Sequence, residues 1–217
     1  MIEPSLSGTR LDPYYHVCAF FNSRDEEYDV LCPFFKDGLD GGEKAIHIVD
    51  PALVQDHLSR LIAHGIDTTA CLSRAQLQVL PWDEAYLNGG AFDQDRMLAM
   101  VEAACDQGRA AGFPRLRIMG NMGWAFSGTP GSEQLIEYEA RVNEVLARSR
   151  QPAICVYDIA QVSGTIMMDI LRSHPLTLLN GVVHENPFYT PPDILLPQLR
   201  VRATQRASLS ARTAGSH

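Results

Sequence analysis

The sequence predicts an α/β fold of three layers, in which helices cover both faces of a mainly parallel sheet. Short apolar runs, such as residues 153–157, alternate along the chain with amphipathic stretches of roughly 10 to 20 residues, which is the order of βαβ units. The apolar runs are continuous and do not alternate with polar residues. We therefore expect both faces of the sheet to be covered.

Six strands are predicted from the apolar runs, over residues 17–21, 44–49, 77–80, 116–119, 153–157 and 176–179. The first helix should begin after Ser23, because serine caps helices and acidic residues fill the first turn that follows it. It should end at the glycines of positions 41 and 42. Pro33 lies inside this helix and predicts a kink or a restart.

The second helix should open at Asp50 and Pro51, with proline at its first position, and end at residues 64–65. Amphipathic spacing predicts further helices over residues 93–111, 131–149 and 164–173. Residues 81–92 are rich in aromatic side chains and glycine, and we expect them to form a loop.

The chain is predicted to contain one domain. Residues 1–13 are read as an N-terminal extension, residues 14–197 as the domain, and residues 198–217 as a tail. The tail carries four arginines and no acid. We expect it to be flexible, or to form a short helix when a partner binds.

Composition excludes several classes of function. The 217 residues are 46% hydrophobic and carry a net charge of -8. Nucleic-acid binding needs a positively charged surface, which a chain of this net charge is not expected to have. Five cysteines without C-x-x-C spacing favour reduced thiols in a cytoplasmic protein. The sequence contains neither a signal peptide nor a long apolar run, so we expect no membrane span.

A ligand of such a fold binds beyond the carboxyl ends of the strands. Aromatic and amide side chains follow the predicted strands there, and they suit a pocket with apolar walls and a few polar groups. The alternative is that many of them only cap the ends of the sheet. These candidate ligand-binding residues are Phe21, Asn22, Trp82, Tyr86, Asn121, Trp124, Tyr157, Asn186 and Tyr189.

The first turn after a strand reads FFNSRD, over residues 20–25. A phosphate-binding turn needs glycines for close approach of the backbone and a lysine for charge. Neither is present, so ATP hydrolysis is not expected at this turn. The chain also lacks the common nucleophile and metalloprotease motifs, and no residue is predicted to be catalytic.

His16 and Cys18 form an H-x-C pair on one side of the first strand. Cysteine and histidine suit zinc or another soft metal, and a metalloprotein or an enzyme using these two residues is one alternative. Simple packing is the other, since no second pair follows at ligand spacing. His47 and His174 offer further nitrogens, but the sequence does not bring them together, and it requires no cofactor.

Twelve short segments resemble the MEDS domain, the methanogen/methylotroph, DcmR-type sensory domain. They lie within about residues 14–190 and follow one another in the same order as in that family. They are HVCAFFNS (16–23), EEY (26–28), PF (33–34), GGEKA (41–45), YL (86–87), GAF (90–92), LRIMG (116–120), WA (124–125), YEARVN (138–143), YD (157–158), HP (174–175) and NPFY (186–189).

The resemblance implies a RecA/KaiC-like core without its phosphate-binding loop, and a role in perceiving small organic compounds. Members are usually joined to DNA-binding or histidine-kinase modules. Two positions depart from the family: Asn121 stands where glutamate is common, and Val156 where a polar residue is frequent. The loss of a carboxylate at Asn121 weakens a cation or acid–base site there.

The leading hypothesis is a non-enzymatic sensor that binds a small, largely apolar or aromatic molecule and signals through a protein partner. Few residues follow the matched region, so we expect the output to lie in another protein. A module that forms homo-oligomers without a ligand is a further alternative.

Overall fold

A computed structural model describes the backbone of residues 3–214 and the side chains of residues 3–205. Its strands are β1 (Ser5–Leu6), β2 (Thr9–Arg10), β3 (His16–Phe21), β4 (Lys44–Val49), β5 (Leu77–Pro81), β6 (Leu116–Asn121), β7 (Ala153–Asp158), β8 (Leu176–Leu179) and β9 (Val182–Glu185). Seven of them form one sheet in the order β5-β4-β6-β7-β3-β8-β9. Every neighbouring pair is parallel except β8 and β9.

The helices are α1 (Arg24–Asp40), α2 (Val54–Ala63), α3 (Thr68–Ser73), α4 (Trp82–Ala85), α5 (Gln94–Ala110), α6 (Leu135–Ser149), α7 (Gly164–Ser173) and α8 (Pro192–Ala214). Helices α1 to α3 cover one face of the sheet, and α4 to α7 cover the other. Helix α8 packs against α6 and α7. The predicted three-layer α/β fold is thus confirmed.

Strand β3 lies inside the sheet and contributes to both cores. Val17, Ala19 and Phe21 pack towards α1, while Cys18 and Phe20 pack towards α5 to α7. All six residues of β3 are buried, as expected for a strand covered on both sides. The alternation of side chains along the strand decides which core each residue joins.

Most predicted elements are present, and the start of α1 follows from its cap. The Ser23 hydroxyl accepts a hydrogen bond from Glu26 N at 3.2 Å, and α1 passes Pro33 as one helix. The helix expected from residue 51 is divided into a 3-10 turn, Pro51–Leu53, and α2. Helix α3 was not predicted.

Residues 81–92 are less irregular than predicted. The first of them ends β5, and the next four form α4. The remainder is held by Arg96, whose guanidinium donates to the carbonyls of Tyr86 and Ala91 at 3.0 Å and of Asn88 at 2.5 Å. A side chain from α5 therefore fixes this segment against the body of the domain.

Strand β9 was also missed. It pairs with β8 through a tight turn in which Asn180 and Gly181 both have positive φ, 49° and 74°. Asparagine followed by glycine is a strong signal for this two-residue hairpin. The dipeptide was available in the sequence, and it is the feature that would have predicted the strand.

Packing crosses both predicted domain limits. Near the amino end, the hairpin of β1 and β2 places Leu6 in the core, and Leu11 follows it there. Near the carboxyl end, α8 runs through residue 197. The limits and the mobility of the tail stay predictions, and residues 1–2 and 215–217 lie outside the described part of the chain.

Candidate functional site

An open cleft of about 310 Å³ lies at the carboxyl ends of β3, β6 and β7. Five of the nine predicted ligand-binding residues line it: Phe21, Asn22, Trp82, Asn121 and Tyr157. The other lining residues are mostly polar: Ser23, Arg24, Glu27, Asp50, Leu53, Gly123, Val156, Asp158 and Gln161. The cleft therefore has the predicted position and a more polar lining than predicted.

One wall of the cleft is the indole of Trp82, which is partly exposed. It packs against Gly123, where an added methyl group would come within 3.2 Å of the ring. Asn121 shapes the same turn, since its Oδ1 accepts a hydrogen bond from Gly123 N at 3.0 Å. A glycine at position 123 thus permits the indole to approach the chain that follows β6 closely.

The turn after β3 is closed to anions by an acid of its own helix. The backbone N–H of Asn22 donates to Glu26 Oε2 at 2.9 Å, and its side-chain amide donates to the same oxygen at 3.1 Å. In a phosphate-binding turn these donors point at the ligand. Here a carboxylate already satisfies them, which agrees with the reading of the sequence.

Glu27 is the buried acid among the cleft residues that were not predicted. Its side chain is buried, and burial raises its pKa to about 7, against the opposing charges of Arg24 and Arg60 and with a small contribution from Asp158 in the same direction. It was read only as an acid in the first turn of α1. Its position four residues before buried Leu31 is the signal that places it on the inner face.

Two predicted wall residues belong to the core. Trp124 and Tyr86 are buried and stack on each other with ring centroids 5.1 Å apart. Phe92 lies 4.6 Å from the Trp124 ring. Tyr86 lines a separate apolar cavity of about 30 Å³ inside the protein, which has room for about one water molecule.

The remaining predicted residues lie apart from the cleft opening. Tyr157 borders the cleft, but its side chain is completely buried and its hydroxyl donates to Glu139 at 3.1 Å. Asn186 donates to the carbonyls of Leu171 and His174 beyond α7. Tyr189 makes an edge contact with Tyr14.

A second constellation lies inside the protein, at the amino end of β3. His16 on β3, Glu139 on α6, Cys155 on β7 and His174 after α7 are buried, and one ligand atom of each lies within 4.8 Å of all the others. Cys18 is outside this group, and its thiol instead contacts Thr177 Oγ1 at 3.5 Å. The structure therefore groups His16 with Cys155, where the sequence had suggested Cys18.

We call His16, Glu139, Cys155 and His174 the donor cluster. Their ligand atoms lie at short distances from one another. Glu139 Oε2 lies 3.2 Å from His16 Nε2, 3.4 Å from His174 Nε2 and 3.5 Å from Cys155 Sγ. His16 Nε2 lies 3.4 Å from Cys155 Sγ. The two imidazole rings are 4.1 Å apart between centroids.

The electrostatics of the donor cluster favour an ionised carboxylate. Burial acts to raise the pKa of Glu139, but the charge of His174 and a hydrogen bond with His16 outweigh it and hold the pKa well below its ordinary value. Burial and the neighbouring His174 lower the pKa of His16. Burial raises the pKa of the Cys155 thiol well above its ordinary value.

The other face of the sheet carries a different pair of buried histidines. His47 Nδ1 lies 2.9 Å from His57 Nε2, and His57 Nδ1 lies 2.6 Å from the hydroxyl of Tyr28. Arg24 donates to that hydroxyl at 3.1 Å. Burial lowers the pKa of His57 to about 4 and that of His47 well below its ordinary value.

Among the described helices, none is both long enough and apolar enough to cross a membrane.

Comparison with known proteins agrees with this architecture. The crystal structure of a KaiC-like protein from the archaeon Pyrococcus horikoshii OT3 superimposes with a TM-score of 0.57 at 12% identity, over 79% of this chain and 73% of that one. At this identity the likeness shows the fold alone.

A relative of known role is also similar. The transcriptional repressor DcmR of Methylorubrum extorquens is 24% identical over 178 residues, which are 79% of this chain and 62% of that protein. The chain thus spans less than two thirds of the relative. The family model described as the methanogen/methylotroph, DcmR sensory domain matches residues 15–175. Because that match covers most of the chain, the protein belongs to the MEDS family of sensory domains.

Proposed function

We propose that this sensory domain binds a small organic molecule in the cleft at the carboxyl ends of β3, β6 and β7, and signals through a protein partner. The observation that carries the proposal is the meeting of Phe21, Trp82 and Asn121 in one cleft, although 100 residues separate the first from the last. This is the edge of an α/β sheet at which ligands bind. The closed anion turn at Asn22 argues for an uncharged or basic ligand over a phosphate.

The lining favours a ligand with an apolar body and one polar end. The Trp82 indole and the aliphatic side chain of Leu53 supply apolar contact. Glu27, Asp50 and Asp158 add carboxyl groups to the lining. Burying the polar end of a ligand requires such a partner, so an amine or a hydroxyl suits this cleft better than a hydrocarbon.

A route for the signal begins at Trp82. This residue opens α4, and the chain beyond α4 is held to α5 by the three carbonyls that Arg96 binds. A ligand that moves the indole would shift the balance between conformations of this segment. The similarity to a transcriptional repressor supports a regulatory role. A partner protein would connect the movement of this segment to that role.

A ligand screen tests the proposal. Purified protein is heated with short amines, short alcohols, phenols and plain hydrocarbons of similar size, because a ligand selective for the folded state raises Tm. The substitution Trp82→Leu should abolish the shift and the accompanying change in tryptophan fluorescence. Tyr189→Leu, which removes an aromatic ring outside the cleft, should keep both.

Either of two results would overturn this function. One is that no class of compound raises Tm, in which case a ligand-free assembly module becomes the better description and size measurements follow. The other is a shift that survives Trp82→Leu, which would place the binding site elsewhere in the domain.

A further inference from the structure

We propose that His16, Glu139, Cys155 and His174 bind one zinc ion inside the domain. The site is distinct from the cleft: His16 begins β3 and Phe21 ends it, a separation of roughly 17 Å along the strand. It would hold four elements together, β3, α6, β7 and the end of α7. The proposal does not depend on the ligand-binding function.

The spacing of the ligand atoms is that of a tetrahedral zinc site. With zinc bonds of about 2.0–2.3 Å, ligand atoms of a tetrahedron lie roughly 3.3–3.7 Å apart. Four of the six separations within the donor cluster are 3.2, 3.4, 3.4 and 3.5 Å, and all six are within 4.8 Å. The side chains are thus gathered at metal-binding distance, and all four are buried.

The tautomer of His16 follows from Asn143. The side-chain amide nitrogen of Asn143 donates to the carbonyls of Glu139, Ala140 and Ser173. Its oxygen therefore faces His16 Nδ1, at 3.0 Å, and an amide oxygen only accepts. His16 must donate from Nδ1, which directs the lone pair of Nε2 into the donor cluster when the ring is neutral.

His174 is oriented in the same way. Its Nδ1 lies 2.9 Å from the carbonyl of Ile170, which accepts only, so Nδ1 carries the proton. Its Nε2 is buried and has no hydrogen-bond partner among the described residues. A second-shell acceptor on the far nitrogen is the usual arrangement for a histidine that binds a metal.

The charges and lone pairs of the donor cluster suit a divalent cation. Each histidine has an acceptor at Nδ1, so Nε2 is the nitrogen that faces the cluster and can bind a metal. One carboxylate from Glu139 and one thiolate from Cys155 would balance the two positive charges of the ion, and two imidazole lone pairs would complete its shell.

The donor set selects the metal. A thiolate and two imidazoles favour zinc over calcium or magnesium, which take oxygen ligands. Four protein ligands fill a tetrahedral shell and leave no position for water, as in structural zinc sites. Tyr157 donates to the other oxygen of Glu139, so it would fix the carboxylate from outside.

Refolding with a spectroscopic probe tests the site. Because the donor cluster is closed to solvent, the full chain is unfolded in denaturant with a chelator and refolded with Co²⁺ or Zn²⁺. We expect one equivalent of either metal per chain, intense visible bands of tetrahedral Co²⁺ and a thiolate-to-cobalt charge-transfer band. Wild-type protein that refolds without binding metal, or binds Co²⁺ without the thiolate band, overturns the proposal.

Two cysteine variants make the test specific. Cys155→Ser should lose the charge-transfer band and weaken zinc binding at least tenfold. Cys18→Ser is the matched control, because Cys18 is a buried thiol paired with Cys155 across neighbouring strands and lies outside the donor cluster. It should keep the band, and a band retained or lost equally in both variants contradicts the assignment. The wild-type spectrum decides the matter if Cys155→Ser does not fold.

Discussion

Two pairs of buried histidines lie on opposite faces of the same sheet, and they differ in how their protons are shared. On the α1 side, Arg24 donates to the Tyr28 hydroxyl, which can donate to His57, which can donate to His47. Each contact in this chain joins one donor to one acceptor. Only the far nitrogen of His47 lacks a partner among the described residues.

On the α6 side, the histidines face acceptors. His16 and His174 give their Nδ1 protons to an amide oxygen and a carbonyl, and their other nitrogens meet the Glu139 carboxylate. The first pair links donor to acceptor at every contact apart from the far nitrogen of His47, while the second gathers ligand atoms that suit the proposed cation. The lesson is that proximity of histidines does not make a metal site. The direction in which their protons point decides which ring nitrogens can bind a metal.

The largest expected effect on stability comes from a substitution that exchanges one carboxylate oxygen of the donor cluster for an amide nitrogen. In zinc-loaded protein, Glu139→Gln should cost about 3–5 kcal/mol of unfolding free energy, because it leaves a buried cation without its counter-charge. Urea unfolding measures it.

The metal-free protein is the comparison for this effect. Without zinc, the same substitution removes only the contacts of the carboxylate with His16 and His174, so we expect a smaller cost than in the loaded protein. An equal cost in the two forms, or a cost below about 1 kcal/mol in the loaded protein, would remove the contrast between the two networks.

Glu27 provides a comparison with Glu139 as a second buried carboxyl, one at which burial outweighs the charges of the nearby Arg24 and Arg60. Its pKa is about 7, raised from 4.5, so ionisation costs stability as the pH rises from about 4.5 to about 7. Glu27→Gln should gain stability over wild type across that window, reaching roughly 3 kcal/mol at pH 8. Unfolding curves at pH 5 and pH 8 give the difference.

The control for Glu27 is an exposed acid on a neighbouring element. Glu84→Gln, on α4, should leave the pH dependence as in wild type. A gain for Glu27→Gln that is equal at pH 5 and pH 8 would mean that the carboxyl ionises freely in the folded state, and would remove it as a distinctive feature of the cleft.

Local rules predicted most of the fold. Continuous apolar runs located six strands of the central sheet, and the capping serine at position 23 located α1. Most of the elements that were missed are short or depend on one dipeptide, as α3 and the Asn180–Gly181 hairpin show, whereas the long helix α8 covers residues expected to form a tail or a short helix. Residue patterns report local preference, and short helices depend on packing that a pattern does not contain.

The sites were harder to predict for a physical reason. The cleft follows from the rule that strands end together at one edge, which is why Phe21, Trp82 and Asn121 were found. The donor cluster unites positions 16 and 174 through the order of strands in the sheet, which no local pattern specifies. Cys155 stands opposite Cys18 in the register of β3 and β7, and its contact with His16 at 3.4 Å depends on a pairing of distant strands that the sequence pattern does not contain.

The smallest effect tests the neutral network. Burial lowers the pKa of His57 from 6.5 to about 4, so the unfolded chain binds a proton there that the folded protein does not, and stability falls as the pH drops from 6.5 to 4. His57→Gln keeps a donor and an acceptor, should cost about 1 kcal/mol at pH 7.5, and should recover about 2 kcal/mol relative to wild type at pH 5. His184→Gln, at an exposed histidine, should follow the wild-type profile. If His57→Gln follows it too, His57 is charged in the folded protein, and both histidine pairs contain a cation after all.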